Sequence, residues 1–159
     1  LKRNFIMGLI GVLFVLIVSS YSFFFYSQQP MVQAEKEVSK IAEESADIQR
    51  VDNFYWYNGS DDTFFTVAGY TSEDRYLYVV VKQNGGEVTI LDSQQIVTED
   101  EAKSILQTIK EPQKILEARL GMEADEPFWE VAYRDIDGKL GYVLLSANTG
   151  ELMKEYKNI

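Results

Sequence analysis

Hydrophobic positions fall into three regimes along the chain. From Phe5 to Tyr26 the sequence reads FIMGLIGVLFVLIVSSYSFFFY, an uncharged run in which 14 of 22 positions are Leu, Ile, Val or Phe. A helix rising ~1.5 Å per residue carries such a run across about 33 Å, against a hydrocarbon core of about 30 Å. A soluble helix of this length would keep a polar face. The run therefore predicts a transmembrane anchor over residues 5–26. Lys2 and Arg3 precede it, which puts a cytoplasmic tip at 1–4 and the rest of the chain outside. A cleaved signal peptide would need a shorter apolar core and small side chains at the cut. The residues that follow, SFFFYSQQPMVQA, are bulky, so the expectation is an uncleaved anchor.

The second regime has a helical period. Thr98-Glu-Asp-Glu101 reads as a capping box. Ala102, Ile105, Leu106 and Ile109 then form one apolar stripe, and Pro112 ends the helix. Val38, Ile41, Ser45 and Ile48 keep the same period more weakly, in a helix expected to start near Val32 after Pro30. The third regime alternates in short runs. It predicts strands at 51–57, 63–70, 76–82 and 87–91, and again at 114–120, 128–134, 140–147 and 151–155. Asn58-Gly59, Asn84-Gly85-Gly86, Asp137-Gly138 and Asn148-Thr149-Gly150 supply the turns.

The two series are copies of one pattern. Residues 34–95 lie on 98–159 at a constant offset of 64, with 13 of 62 positions identical, Phe64/Phe128, Val67/Val131 and Tyr78/Tyr142 among them. The expected architecture is α+β. After the N-terminal transmembrane helix come two tandem αββββ modules, at 32–95 and 96–159, each a helix on a four-stranded antiparallel sheet. A module of this size is marginal alone, so the two should pack on each other.

Composition removes several chemistries. The chain has no Cys and no His, so thiolate nucleophiles, imidazole bases and the usual zinc sites are excluded. The net charge of -10 argues against nucleic acid. Asp135-Ile-Asp-Gly138 resembles the start of a calcium loop, but the twelfth position is Ser146 where a bidentate Glu is needed, so a hairpin turn is expected. Asp61-Asp62 and Glu123-x-Asp125-Glu126 occupy matching inter-strand loops, read as solvated charge rather than a cation site. No catalytic residue, metal ligand or cofactor site is assigned.

The cluster Phe54-Tyr55-Trp56-Tyr57 is the most informative local feature. Phe54 and Trp56 have the apolar counterparts Ala118 and Leu120, whereas Tyr55 stands where the second copy has Arg119. Tyr55 and Tyr57 are therefore expected to point away from the helix. There they serve either as ordinary packing, on the open face or between modules, or as a partner-binding patch.

The short basic start, single span, acidic helix and two repeats ending in Asn84-Gly85-Gly86-Glu87 and Asn148-Thr149-Gly150-Glu151 resemble PepSY-type, cystatin-like modules. The phrase Phe128-Trp129-Glu130-Val131-Ala132-Tyr133 strengthens the likeness. The whole is similar to the TseB-like (YpmB-like) cell-wall elongation regulators of low-GC Gram-positive bacteria. That resemblance implies a bitopic membrane protein without catalysis, working with a class B penicillin-binding protein. It brings no set of functional residues. Two other readings stay open: an inhibitor or chaperone of an extracellular peptidase, and a wall-polymer binder.

Overall fold

The computed structural model describes the backbone of residues 2–157, and their side chains except at 2–6 and 24–28. The expected tip at 1–4 lies outside the described side chains. The chain divides into two compact units, residues 1–36 and 37–159.

The first unit is helix α1 as far as Lys36, the whole of α1 running Lys2–Ala46. Its described apolar residues are bare on every side: Leu9, Ile10, Val12, Leu13, Phe14, Val15, Leu16 and Ile17 are each more than half exposed. Pro30 does not precede the helix as expected but sits within it, so no helix starts near Val32. Proline there forgoes one backbone bond, which a long helix absorbs. Among the described residues, no helix is long and apolar enough to cross a membrane. The ends of the expected 5–26 span, residues 5, 6 and 24–26, lie outside the described side chains.

The second unit begins with the last turns of α1. Val38 and Ala42 are buried, while Ser45, expected on the stripe, is exposed. The helix stops at Ala46 because Asp47 turns left-handed at φ 56°, its N–H still bonded to the carbonyl of Glu43 at 3.1 Å. Ile48 therefore belongs to the first strand rather than to the helix. Strands β1 (Ile48–Asn58), β2 (Thr63–Thr71), β3 (Tyr76–Lys82) and β4 (Val88–Asp92) form one antiparallel sheet in sequence order. Helix α2 (Glu99–Lys110) follows, then β5 (Lys114–Glu123), β6 (Glu126–Arg134), β7 (Leu140–Ser146) and β8 (Leu152–Lys157) in a second sheet of the same order.

Local chemistry explains the boundaries of α2. Thr98 accepts from the Glu101 N–H while the Glu101 carboxylate accepts from the Thr98 N–H, the reciprocal capping box. Glu111 closes the helix in the left-handed region at φ 46°, one residue before Pro112. Of its apolar stripe, Ala102 and Leu106 are fully buried, Ile105 is half-buried and Ile109 is 43% exposed. The turn glycines Gly86 and Gly150 take φ of 65° and 75°, where a side chain would be strained.

The offset of 64 holds in the strand register. Phe54 pairs with Val67 as Ala118 pairs with Val131, and Val67 with Val79 as Val131 with Val143. The correspondence breaks in the last strand, where a bulge between Leu144 and Leu145 shifts β8 by one residue. The first sheet is buried on both sides, with Val67 and Val79 at 0% exposure on one face and Ala68 at 0% on the other. The face carrying Val67 and Val79 is the one opposite Tyr55. The opposite face receives the second sheet. Strand β5 lies against β1 and β2, so close that a side chain at Gly121 would stand 2.7 Å from the Tyr57 ring. One core joins Tyr55, Phe64, Ala68, Tyr78 and Val80 to Ala102, Leu106, Leu120, Trp129, Val131 and Leu145.

Candidate functional site

Tyr55 and Tyr57 occupy the face of the first sheet opposite Val67 and Val79, and that face is not open. The edge of the second sheet covers it, where β5 lies against β1 and β2 and Trp129 reaches the core they share. The Tyr55 ring stands edge-on to Trp129 at 5.5 Å and is 7% exposed. Its hydroxyl donates to the Glu99 carboxylate on the first turn of α2. Burial, and then that carboxylate, push the Tyr55 pKa far up, so it stays a neutral donor. Tyr57 packs edge-on against Phe128 at 5.1 Å and stays half-buried, at the wall of a cleft. Of the two expected contact residues, only Tyr57 presents surface.

The cleft holds about 270 Å³. Phe64 and Val80 of the first sheet and Met122 and Leu144 of the second make its apolar walls. Glu87 and Thr89 line it from the first sheet's side and Lys154 and Tyr156 from β8. Loops 59–62 and 123–125 complete it. The two matching acidic loops, read from sequence as separate solvated charge, thus meet at one place.

Their charge is partly neutralised. Lys82 Nζ lies 2.8 Å from Asp62, and Lys154 Nζ donates to both Glu123 oxygens at 2.6 and 2.7 Å. The Lys82 ammonium is held above its usual pKa, first by the hydrogen bond to Asp62, with Glu87 and Asp125 adding to the effect. Among the described residues, no group of carboxylates is arranged to hold a metal ion. Asp61, Glu87 and Asp125 have no ion-pair partner within the described set, so the cleft carries an excess of negative charge. Asp135–Gly138 is a hairpin turn: the Gly138 N–H donates to the Asp135 carbonyl at 2.9 Å, and the Asp135 carboxylate takes the N–H groups of Asp137 and Lys139.

Beside the cleft, Glu130 sits half-buried on the outer face of the second sheet. Burial raises its pKa from 4.5, Arg119 at 3.7 Å opposes the rise, and Glu117 adds to it. A carboxyl with a raised folded pKa contributes stability below its unfolded pKa and loses it as pH climbs through the folded value. Charged Glu130 is therefore a cost at neutral pH. Glu130→Gln should stabilise the chain at pH 7 by about 1 kcal/mol or less, with no difference near pH 3. Urea melts at the two pH values read this directly, and a loss of stability at pH 7 would mean that the Arg119 pair outweighs burial.

Nothing in the local sequence marks Lys82 and Lys154 as partners of the loop acids. They lie 20 and 31 residues away from Asp62 and Glu123, and Lys154 reaches its place only because of the β7–β8 bulge.

Residues 39–82 match a family model described as the cell wall elongation regulator TseB-like domain. No curated protein matches the chain. Among solved structures, the YpmB protein from Bacillus subtilis is similar at 23% identity and a TM-score of 0.67, covering 77% of this chain and 95% of that one. At that identity the likeness speaks for the fold. A candidate lipoprotein from Clostridium difficile 630 is similar at 16% identity and a TM-score of 0.41, over 76% of this chain and 90% of that one, too distant to bear an argument. The matched family is one of regulators and is not a known enzyme family.

Proposed function

We propose that this chain, which is TseB/YpmB-like, is a membrane-anchored, non-enzymatic interaction protein that regulates cell-wall elongation through a class B penicillin-binding protein. The match of residues 39–82 to the elongation-regulator domain carries the reading. The anchor is the run 5–26, with the N-terminus cytoplasmic and the C-terminal body extracellular. What supports it is the helix around Leu9–Ile17, whose apolar side chains are bare on all sides and would otherwise face water. The body consists of two PepSY-like modules, 32–95 and 96–159, and it works by contact. The cleft beside Tyr57 is its binding surface, and Tyr55 holds the wall behind it. Two partners confined to one membrane meet at high effective concentration, so a contact of modest affinity suffices.

A photo-crosslinker in place of Tyr156, which is 46% exposed at the cleft, tests this in living cells. The expected product joins the chain to a wall synthase, and loss of the gene should alter cell length or width. A purified chain that cleaves peptide, glycan or phosphate substrates would overturn the reading, as would a reporter fused after Lys157 that is active in the cytoplasm.

A second reading, an inhibitor or chaperone of an extracellular peptidase, is favoured by one feature, the unpaired outer edge of β4. An unchanged rate of extracellular proteolysis on deleting the gene would remove it.

A further inference from the structure

The four edge strands of the two sheets are not alike. Unpaired edges invite another chain, and folded proteins blunt them with bulges and basic side chains. Strand β1 has two register shifts and carries Arg50. Strand β5 has a shift between Ile115 and Glu117 and carries Lys114 and Arg119. Strand β8 pairs across a bulge and carries Lys154 and Lys157. Strand β4, reading Val-Thr-Ile-Leu-Asp, pairs with β3 in unbroken register and has no basic residue. It is the unguarded edge among the described strands.

Its bonding pattern shows what it offers. The Lys82 N–H donates to the Glu87 carbonyl and the Ser93 N–H to the Tyr76 carbonyl. With Val80 opposite Thr89 and Tyr78 opposite Leu91, the bonded pairs include residues 87, 89, 91 and 93. The N–H and C=O groups of Val88 and Ile90 therefore face outward. The side chains of Val88 and Ile90, 37% and 46% exposed, lie on the face opposite the cleft, whereas Glu87 and Thr89 line the cleft. A strand laid along β4 would thus meet two different surroundings on alternate residues. One face adjoins Val88 and Ile90. The other adjoins a cleft whose five carboxylates, Asp61, Asp62, Glu87, Glu123 and Asp125, outnumber Lys82 and Lys154.

We infer that β4 is a docking edge for an extended segment of a partner protein in which Lys or Arg alternates with apolar residues. The basic side chains reach over the cleft lip to Glu87, Asp61 and Asp125, and the apolar ones continue the row of Val88 and Ile90. Main-chain bonds to Val88 and Ile90 supply the pairing and the alternation supplies the selectivity. A second copy of this chain fits less well, because β4 against β4 brings two acidic clefts together. The inference deepens the proposed function and rests on it, since it gives the partner contact a place and a chemistry.

The test uses the full chain in detergent micelles and three capped peptides: VKVKVKV, VEVEVEV, and VKVKVKV bearing N-methyl groups on alternate amides. The first should bind at least tenfold tighter than the second, and it should slow amide exchange at Val88 and Ile90. N-methylation on the pairing side should abolish binding. Ile90→Pro should do the same with the fold intact, because this amide makes no bond to β3. If that variant does not fold, the N-methylated peptide decides. Equal binding of the lysine and glutamate peptides, or undiminished binding of the N-methylated one, would overturn the inference. So would protection of β4 that appears with chain concentration alone, which would make a second copy the occupant. Crosslinks from position 156 to a wall synthase do not require β4. If they persist while the peptide fails, only the edge pairing falls; if they are absent altogether, the proposed function falls with it.

Discussion

Trp129→Ala should destabilise the fold by about 3–5 kcal/mol, the range for truncating a core aromatic. Trp129 is at 0% exposure in β6, and it ties together parts of the chain that are distant in sequence. Its ring meets Tyr55 at 5.5 Å and Tyr78 at 5.7 Å, both edge-on and both from the first sheet. Its Nε1–H donates to the Val97 carbonyl at 2.7 Å, just before α2. Removing the ring takes away two aromatic contacts and leaves that carbonyl short of a donor, in a region where no water replaces the lost volume at low cost. Urea denaturation followed by far-ultraviolet circular dichroism measures the loss. The first sheet should melt together with the second, since both share the ring. A loss under 1 kcal/mol, or a first sheet that unfolds independently, would contradict this packing.

Tyr55→Ser should cost about 3 kcal/mol, and Tyr57→Ser roughly half as much, because Tyr57 is only half-buried. The Tyr55 hydroxyl also ends on Glu99, so its loss removes a bond that joins β1 to α2. Tyr55→Phe isolates that bond and should cost about 1 kcal/mol, as Glu99 keeps its ion pair with Lys103. Melts of the three variants rank the contributions. If Tyr55→Ser melted like the parent while partner binding fell, the ring would be surface and the second sheet would not lie where it does.

What was legible in the sequence was what local chemistry decides. The capping box at Thr98 and the glycine turns depend on neighbours a few residues apart, the repeat at an offset of 64 shows when the chain is laid on itself, and all three recur in the structure. The direction of Tyr55 was legible too, because alternation and the charged counterpart Arg119 fix it. What covers Tyr55 was not, since no local pattern states that β5 will lie across β1 and β2. Gly121 is the residue that permits this approach, but read in sequence it is one more glycine in a strand. Proline at position 30 signalled a helix start, yet the flanking residues on both sides favour helix enough to run through it. The acids of loops 61–62 and 123–126 were visible as charge, whereas their meeting place depends on how the sheets dock.

That docking also bears on how many modules the chain can have. The first sheet presents its open face to an edge of the second, so the two copies use different surfaces. Such a head-to-tail contact does not close on itself; left unchecked, it would let a third module settle on the second, and a fourth on the third. At the positions where the first copy offers Tyr55 and Thr66, the second has Arg119 and Glu130, an ion pair at 3.7 Å in which Glu130 is half-buried and Arg119 keeps contact with solvent. Covering that pair with another apolar edge would strip it of solvent at a cost of several kcal/mol. The outer face of the second copy is thereby a poor seat for another apolar edge.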